Sequence, residues 1–301
     1  MNGLVVIDKD KGYTSRDVVN IVSGVLGTKK VGHTGTLDPL ATGVMVVGVG
    51  KGLKVSELIN RYMDSVGYRV GYNENDRYLV KKIKSIIGYE TETLDMEGNI
   101  VKWGRFDYTK GDIERVIREF PREYEQVVPI YSAVKVNGKR LYKSARRGDV
   151  VDLPKRMVSI YEMDLISDVE VFENHTEFDI RCKVSKGTYI RSLVRDIGEK
   201  LGSYGTLMDL RRTRQGNFGL DGAYSIDDIK SGNFELKKIG EVLDIPKVWV
   251  SDDMLFKIRN GCKVKKFFEG DMALVMDGDS EVAIYRVSEE DEKIAKVYKM
   301  L

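Results

Sequence analysis

The chain has 301 residues, 42% of them hydrophobic and 32% charged, so it can bury a substantial core and extended disorder is not expected. At roughly 100–200 residues per domain, this length predicts two domains. No run approaches the ~20 apolar residues of a membrane span, and residues 1–10 are too short and too acidic for a secretion signal. Two distant cysteines and two histidines argue against a disulfide framework or a metal centre. We therefore expect a cytoplasmic protein without metal or cofactor.

The formal net charge is only +2, but the basic residues are unevenly distributed. From Lys135 to Arg156, eight lysines and arginines stand against two aspartates, a balance of +6. From Arg181 to Arg214, nine basic residues stand against three acidic ones, again +6. Two such stretches on an otherwise acidic chain indicate a face that attracts phosphate groups, with plain solvated surface as the alternative.

Strand-like and helix-like segments alternate irregularly, which favours an α+β fold around a mixed sheet. Apolar runs predict the strands, and apolar residues at helical spacing predict the helices. In chain order we predict a strand at 4–8, a helix capped by Thr14 or Ser15, a strand at 44–49, a helix at 53–63, a helix around 113–120 capped by Thr109, strands at 157–166 and 177–184, and a helix at 190–201 closed by Gly202.

The pattern of predicted elements changes after about Ser231. Short strand-like pieces separated by Gly and Asp turns predict a small all-β module, with strands at 247–250, 261–264, 273–276, 282–287 and 296–298. The Ile245-Pro246 step marks a linker, so we predict domains at 1–245 and 246–301. The module has ten basic and eleven acidic residues, so any RNA contact that it makes is local.

Residues 31–43 are the most informative segment. They read Val-Gly-His-Thr-Gly-Thr-Leu-Asp-Pro-Leu-Ala-Thr-Gly, with three glycines and one of the two histidines, directly before a predicted strand. Pro39 disfavours helical backbone at Asp38, so the carboxylate is expected in an extended or turn conformation on a glycine-rich loop. For an isolated Asp-Pro step, a purely structural turn is the alternative.

The string from Gly32 to Gly43 closely resembles the catalytic motif of the TruB family of tRNA pseudouridine synthases. The resemblance covers nearly the whole chain, through residues 3–15, 131–142, 145–148, 185–191 and 207–212. It implies an α+β, mixed-sheet catalytic domain with an RNA-gripping insertion at about 125–156. The C-terminal module is similar to a small, β-barrel-like PUA domain.

The resemblance implies isomerisation of uridine 55 to pseudouridine in the T loop of tRNA, without metal or cofactor. The N1–C1′ bond breaks, the uracil turns, and C5 bonds to C1′. Asp38 corresponds to the family's nucleophile, and Arg191 corresponds to the arginine that pairs with it and keeps it ionised. Attack on uracil C6, attack on C1′ and a glycal route all remain open. Tyr189 is expected to stack on the target base.

Further contacts to RNA follow from the same resemblance. His33 matches a histidine that contacts the flipped nucleotide or fills the space that it leaves. Leu210 matches a residue whose backbone contacts the base, with plain core as the alternative. The basic side chains of the insertion would clamp the T stem-loop while the PUA-like module holds the acceptor stem of tRNA, with the protein acting as a monomer; these side chains are Lys139, Arg140, Lys143, Arg146 and Arg147.

The sequence departs from the family at a second active-site tyrosine. Family members carry it on a strand shortly before the segment that is recognisable here as residues 87–98. The intervening stretch is longer than the family pattern, and the gapless register from Gly88 places Lys81 at the tyrosine position. We assign the position to Tyr78, with Tyr68 as the alternative residue and strand packing as the alternative role.

Two other functions fit parts of this pattern. A catalytic subunit of a guide-RNA pseudouridylation particle shares both domains, but we expect a long lysine-rich tail there, and the insertion at 135–142 is of the bacterial type. A non-catalytic tRNA-binding or tRNA-folding protein would not need Asp38, Tyr189 and Arg191 together.

Overall fold

The computed structural model describes residues 1–61, 79–243 and 245–301. The strands in these ranges are β1 (Gly3–Lys9), β2 (Val31–His33), β3 (Thr42–Val49), β4 (Leu79–Ile87), β5 (Tyr89–Thr91), β6 (Ile100–Trp103), β7 (Glu123–Val127), β8 (Lys135–Val136), β9 (Lys139–Arg140), β10 (Lys155–Leu165), β11 (Glu170–Val171), β12 (Thr176–Val184), β13 (Gly205–Gln215), β14 (Phe218–Gly219), β15 (Lys247–Trp249), β16 (Val264–Lys265), β17 (Met272–Asp277), β18 (Ser280–Val287) and β19 (Ile294–Met300). The helices are α1 (Ser15–Val25), α2 (Gly52–Arg61), α3 (Lys110–Glu119), α4 (Leu141–Ala145), α5 (Ile190–Lys200), α6 (Ile226–Ser231), α7 (Ile239–Val242) and α8 (Asp252–Arg259).

One large sheet organises the first 219 residues. Its strand order is β1-β3-β13-β4-β12-β10-β7, and β2, β11 and β14 pair with its members. Neighbouring strands are antiparallel except β3 and β13, which run parallel where Arg211 and Arg212 lie opposite Thr42 and Gly43. The mixed sheet with helices confirms the α+β prediction, and β3 and β13 bring the two halves of the chain together beside the glycine-rich loop.

Four helices, α1, α3, α5 and α6, cover one face of this sheet. Their apolar faces pack on alternate strand residues such as Ile7, Ile83 and Ile180, which are buried. Thr14 caps α1 and Thr109 caps α3, each in a capping box with an aspartate three residues later. The glycine-rich loop between β2 and β3 and the start of α5 both meet this core, through Leu37, Leu40 and Ile190.

The opposite face of β1 and β3 packs against the C-terminal module. Leu4 and Val46 share a core with Leu274 and Ile284, while the module has a second core of its own. The module's sheet has the order β15-β17-β18-β19-β16, and β15 pairs in parallel with β17.

The prediction of an all-β module is wrong at residues 252–259, which form α8. Asp252 and Asp253 favour the helix N-terminus electrostatically, and Leu255 and Ile258 are its buried residues. Two apolar positions in a two-turn helix are too few to establish a period. The predicted strand at 261–264 is consequently reduced to the short β16.

Other predicted elements agree to within a few residues, and helix 53–63 is described as α2 only to Arg61. Tyr68 and Tyr78 lie outside the described residues. Among the described helices, none combines the length and the apolar character that crossing a bilayer requires.

Candidate active site

The loop between β2 and β3 carries Asp38 and is pinned to α1. The Ser15 hydroxyl donates to the Leu37 carbonyl oxygen at 2.9 Å and accepts from the Leu37 amide at 2.8 Å. Within the loop, the Ala41 amide donates to the Asp38 carbonyl oxygen at 3.1 Å. These contacts fix the backbone on both sides of Asp38, so its carboxylate is held in place before any ligand arrives.

A buried arginine supports the loop from the sheet side. Arg212 Nε donates to the Val44 carbonyl oxygen at 2.7 Å, and an Nη atom donates to the Gly35 carbonyl oxygen at 3.3 Å. Burial lowers the pKa of Arg212 to about 9, while the Asp38 carboxylate acts in the opposite direction. Gly43 passes so close that a Cβ there would lie 2.1 Å from the Arg212 carbonyl oxygen, and its φ is +102°. Only glycine therefore fits at this end of the loop.

Lys9 ties the end of β1 to the same loop. Its ammonium group is fully buried and donates to the carbonyl oxygens of Asp10 at 2.9 Å, Tyr13 at 2.8 Å and Pro39 at 3.5 Å. Burial lowers the pKa of Lys9 to about 8. Since its donors all face main-chain oxygens, Lys9 is a structural cross-link.

The loop meets α5 at an ion pair between Asp38 and Arg191. Arg191 Nε donates to Asp38 Oδ2 at 2.9 Å, and the two terminal nitrogens donate to the carbonyl oxygens of Thr93 and Tyr131, each at 2.9 Å. The Arg191 side chain is 6% exposed, whereas that of Asp38 is 34% exposed. Within the described chain Asp38 Oδ1 accepts no hydrogen bond, so the pair offers one fixed, accessible carboxylate oxygen.

Sequence reasoning missed a second carboxylate beside Arg191. Asp95 is buried, and its Oδ2 lies 3.5 Å from Arg191 Nε. Its Oδ1 accepts from the Thr93 hydroxyl at 2.6 Å and from the Glu97 amide at 3.1 Å. The sequence signal for Asp95 is the Thr-Glu-Thr-Leu-Asp run at 91–95, which lies within the recognisable segment 87–98. Asp95 thus fixes the orientation of the arginine that holds Asp38.

Tyr189 precedes the first turn of α5, two residues before Arg191. Its amide donates to Gln126 Oε1 at 2.8 Å, and Gln126 Nε2 donates back to the Tyr189 carbonyl oxygen at 3.2 Å. The guanidinium carbon of Arg156 lies 5.2 Å from the centre of the Tyr189 ring. The ring is half-buried, which leaves part of it available for a planar ligand.

His33 and Leu210 differ in their surroundings. His33 ends β2, and its Nδ1 is buried without a hydrogen-bond partner in the described chain. Burial and the charges of Arg16 and Arg212 lower the pKa of His33, so its ring is neutral at pH 7. The Leu210 side chain is buried in the main core, as expected for a residue that only packs there. A contact from its backbone to a base stays a prediction.

The basic insertion forms a hairpin of β8 and β9 followed by α4. Asn137 and Gly138 have φ values of 50° and 78°, as a two-residue hairpin turn requires. Leu141 anchors the segment in the interior. The predicted RNA-contacting side chains are all exposed and lie outside the Asp38–Arg191 hydrogen-bond network: Lys139, Arg140, Lys143, Arg146 and Arg147.

The arrangement suits nucleophilic chemistry by a carboxylate on an electron-poor ring or sugar carbon. In the ranges that the structure describes, no group of three or more His, Cys, Asp or Glu side chains could hold a metal ion.

Comparison with known proteins identifies relatives of this chain. The family model "TruB family pseudouridylate synthase (N terminal domain)" matches residues 24–190, and that of the "tRNA pseudouridylate synthase B C-terminal domain" matches residues 191–244. The "tRNA pseudouridine synthase B" of Caldanaerobacter subterraneus is 36% identical over 91% of this chain and 90% of its own length. That of Clostridium kluyveri is 39% identical over 88% and 86%, respectively.

Solved structures show the same fold. A chain of a Cbf5-Nop10-Gar1 complex superposes with a TM-score of 0.63 at 24% identity, covering 99% of this chain and 84% of that one. A chain of an H/ACA RNP bound to a substrate RNA gives a TM-score of 0.62 at 21% identity, with the same coverage. Two family models that together span residues 24–244, and relatives above 30% identity over most of the chain, establish that this protein belongs to the TruB family of pseudouridylate synthases.

Proposed function

We propose that this chain isomerises uridine to pseudouridine in tRNA. Its relatives from Caldanaerobacter subterraneus and Clostridium kluyveri carry the name tRNA pseudouridine synthase B. The single observation that carries the proposal is the Asp38–Arg191 pair, in which the arginine engages one carboxylate oxygen and leaves the other accessible.

Asp38 is the proposed nucleophile. A cation within hydrogen-bond distance favours the ionised carboxylate, and a carboxylate nucleophile divides a difficult substitution into easier covalent steps. Arg191 is held by two main-chain carbonyl groups, so its guanidinium stays beside Asp38 without moving toward the substrate. The N1–C1′ bond of the uridine then breaks, and C5 bonds to C1′ after the base has turned.

The target nucleotide is extruded from its RNA loop before reaction, because its reacting atoms are otherwise inaccessible. The half-buried Tyr189 ring supplies a stacking surface at the start of α5. The half-buried His33 ring supplies a polar contact for the displaced nucleotide. The backbone at Leu210 is the proposed contact to the base edge.

Two surfaces are proposed to bind the rest of the tRNA. The exposed cations of the β8–β9 hairpin and α4 clamp the T stem-loop around uridine 55. The module at 246–301, proposed as a PUA-like and barrel-like domain distinct from the catalytic domain at 1–245, holds the acceptor stem. It carries a surface groove of about 890 Å³ that is lined by three lysines and two phenylalanines but also by Glu269 and Glu292. The lysines and Phe267 offer local contacts to phosphates and a base. We propose that a cytoplasmic monomer performs the reaction.

The test is incubation of the chain alone with an unmodified tRNA transcript, followed by carbodiimide mapping of pseudouridine. The proposal predicts one modified position, in the T loop. A subunit of a guide-RNA particle would give no product until guide RNA and partner proteins are added. A non-catalytic tRNA-binding protein would give no product under either condition.

A further inference from the structure

A second buried lysine lies on the active-site side of the sheet. In β4, Lys81 is opposite Cys182 of β12 and opposite Arg212 of β13. Cross-strand partners share a face of the sheet, so its side chain runs beside that of Arg212, which supports the Asp38 loop. Lys81 is only 5% exposed. The fold therefore buries an amine beside the arginine that supports the loop of the proposed nucleophile.

The groups that face Lys81 in the described part of the chain neither bond to its amine nor pair with it. Cys182 contributes no charge at neutral pH, because burial raises the pKa of its thiol to about 12. Arg212 disfavours the ammonium form and Asp38 favours it, and burial outweighs both, lowering the pKa of Lys81 to about 8. Lys9 has a similar pKa but donates to three carbonyl oxygens. In the described part of the chain, Lys81 makes no hydrogen bond or ion pair.

We propose that Lys81 Nζ transfers the proton that must move from C5 to N1 of the uracil during the isomerisation. The inference rests on the proposed function, because the reaction supplies both the donor carbon and the acceptor nitrogen. Lysine suits this role since its amine gains and loses a proton readily once buried, whereas a guanidinium stays protonated.

The proton and electron balance closes with one amine. The N1–C1′ bonding pair stays on N1 of the uracil, and any bond that Asp38 forms breaks again with its pair returning to the carboxylate oxygen. The C5=C6 π electrons form the new C5–C1′ bond, and the pair on N1 forms an N1=C6 double bond. C5 then carries both C1′ and its original hydrogen. The neutral Lys81 amine takes this proton, and the C5–H pair restores the C5=C6 bond. The N1=C6 π pair returns to N1, which receives the proton from the Lys81 ammonium. No co-reactant is needed.

Single-turnover kinetics with saturating tRNA test this role. Lys81→Met removes the amine and should slow pseudouridine formation by about 10²- to 10⁴-fold, the range for one acid–base group. Lys81→Arg keeps the charge, and its guanidinium is a poorer proton acceptor than the lysine amine at neutral pH. Lys82→Met is the matched control, because Lys82 is the exposed neighbour on the other face of β4. Thermal melting and tRNA affinity of all three variants establish that they fold and bind.

Two further readouts separate proton transfer from a structural role. The wild-type rate should rise with pH up to about 8, as Lys81 loses its proton, and Lys81→Arg should lack this rise. Deuterium at C5 of the target uridine should slow the Lys81 variants more than the wild type, because removal of the C5 proton becomes their slowest step.

Two results would overturn the inference: Lys81 variants that match Lys82→Met in rate, and variants that are slowed with an unchanged pH profile and no larger isotope effect. Wild-type protein that forms no pseudouridine overturns the proposed function itself, and this outcome is distinct from both.

Discussion

Two Asp–Arg pairs lie on opposite faces of the large sheet, and only one of them has the geometry of a reactive site. Arg211 donates from Nη1 to Asp8 Oδ1 at 3.1 Å and from Nη2 to Asp8 Oδ2 at 2.7 Å, so both oxygens are occupied. Arg191 donates only to Oδ2 of Asp38. The two carboxylates are almost equally exposed, 32% for Asp8 and 34% for Asp38. Exposure alone therefore does not distinguish a nucleophile from a surface ion pair.

The arginines differ more than the carboxylates. The Arg211 side chain is 38% exposed, whereas that of Arg191 is 6% exposed and makes two bonds to main-chain oxygens. Each of the three nitrogens of the buried Arg191 guanidinium donates a hydrogen bond, which holds it against rotation toward the second oxygen of Asp38. A carboxylate therefore keeps one oxygen free for reaction when the other donors of its arginine partner are directed at main-chain oxygens.

The largest expected difference between the pairs is in chemistry. Asp38→Asn removes the charge and the nucleophile with little change in shape, and we expect single-turnover pseudouridine formation to fall by at least about 10⁴-fold. Asp8→Asn, the matched control, should keep a rate within about threefold of wild type, as expected for an exposed pair worth about 0–1 kcal/mol. Equal losses of rate in the two variants would show that the two ion pairs do not differ in their importance for the reaction.

Replacing each arginine by lysine should give a smaller contrast. A lysine at position 191 cannot reach Asp38 and both carbonyl oxygens at once, so Arg191→Lys should reduce the rate by about 10²- to 10³-fold, as loss of a preorganised donor does. It should also lower the melting temperature. Arg211→Lys should change both quantities little, because that pair is exposed. A wild-type rate for Arg191→Lys would remove the fixed guanidinium from the mechanism.

Charge on the β8–β9 and α4 segment should affect binding without affecting chemistry. Replacing Arg146 and Arg147 by alanine removes two exposed cations, so the slope of log affinity against log salt should fall by about 1.4 to 1.8. The rate at saturating tRNA should be unchanged. Arg115→Ala with Arg118→Ala, on α3, makes the same change in net charge and should leave the slope near that of wild type. Equal slopes for both pairs would indicate attraction by net charge alone.

The smallest expected effect concerns His33. Its half-buried ring can gain about one hydrogen bond from RNA, so His33→Ala should slow turnover by about 2- to 10-fold. His175→Ala removes the other histidine, which is bonded to Asn174 and Glu177, and serves as the control. Loss of all single-turnover chemistry in a folded His33→Ala protein would contradict a contact role.

The long elements could be predicted from the sequence because their apolar periods are strong. The strand of β1, the helix α3 with its Thr109 cap and the helix α5 agree with the structure to within three residues. The two-turn helix α8 was missed because a helix that short has no period. Long-range sheet order, including the parallel pairing of β3 with β13, leaves no local signal.

Of the candidate site, the sequence could predict the side chains that belong to motifs but not the main-chain groups that hold them. Asp38 and Arg191 came from the resemblance to the TruB family, and the structure places them in contact. The other partners of Arg191 are main-chain oxygens of Thr93 and Tyr131, and a backbone carbonyl can belong to any residue type. Burial of Lys81 was equally hidden, since a charged residue in a strand is usually exposed.

The most direct measurement is a crystal structure of the Asp38→Asn variant bound to an unmodified T stem-loop RNA. Our account predicts an extruded uridine against Tyr189, with the side-chain amide of the variant residue within about 3–3.5 Å of C1′ or C6, the distance of a near-attack arrangement. A target uridine bound elsewhere on the protein, with both carbons out of contact with position 38, would contradict it.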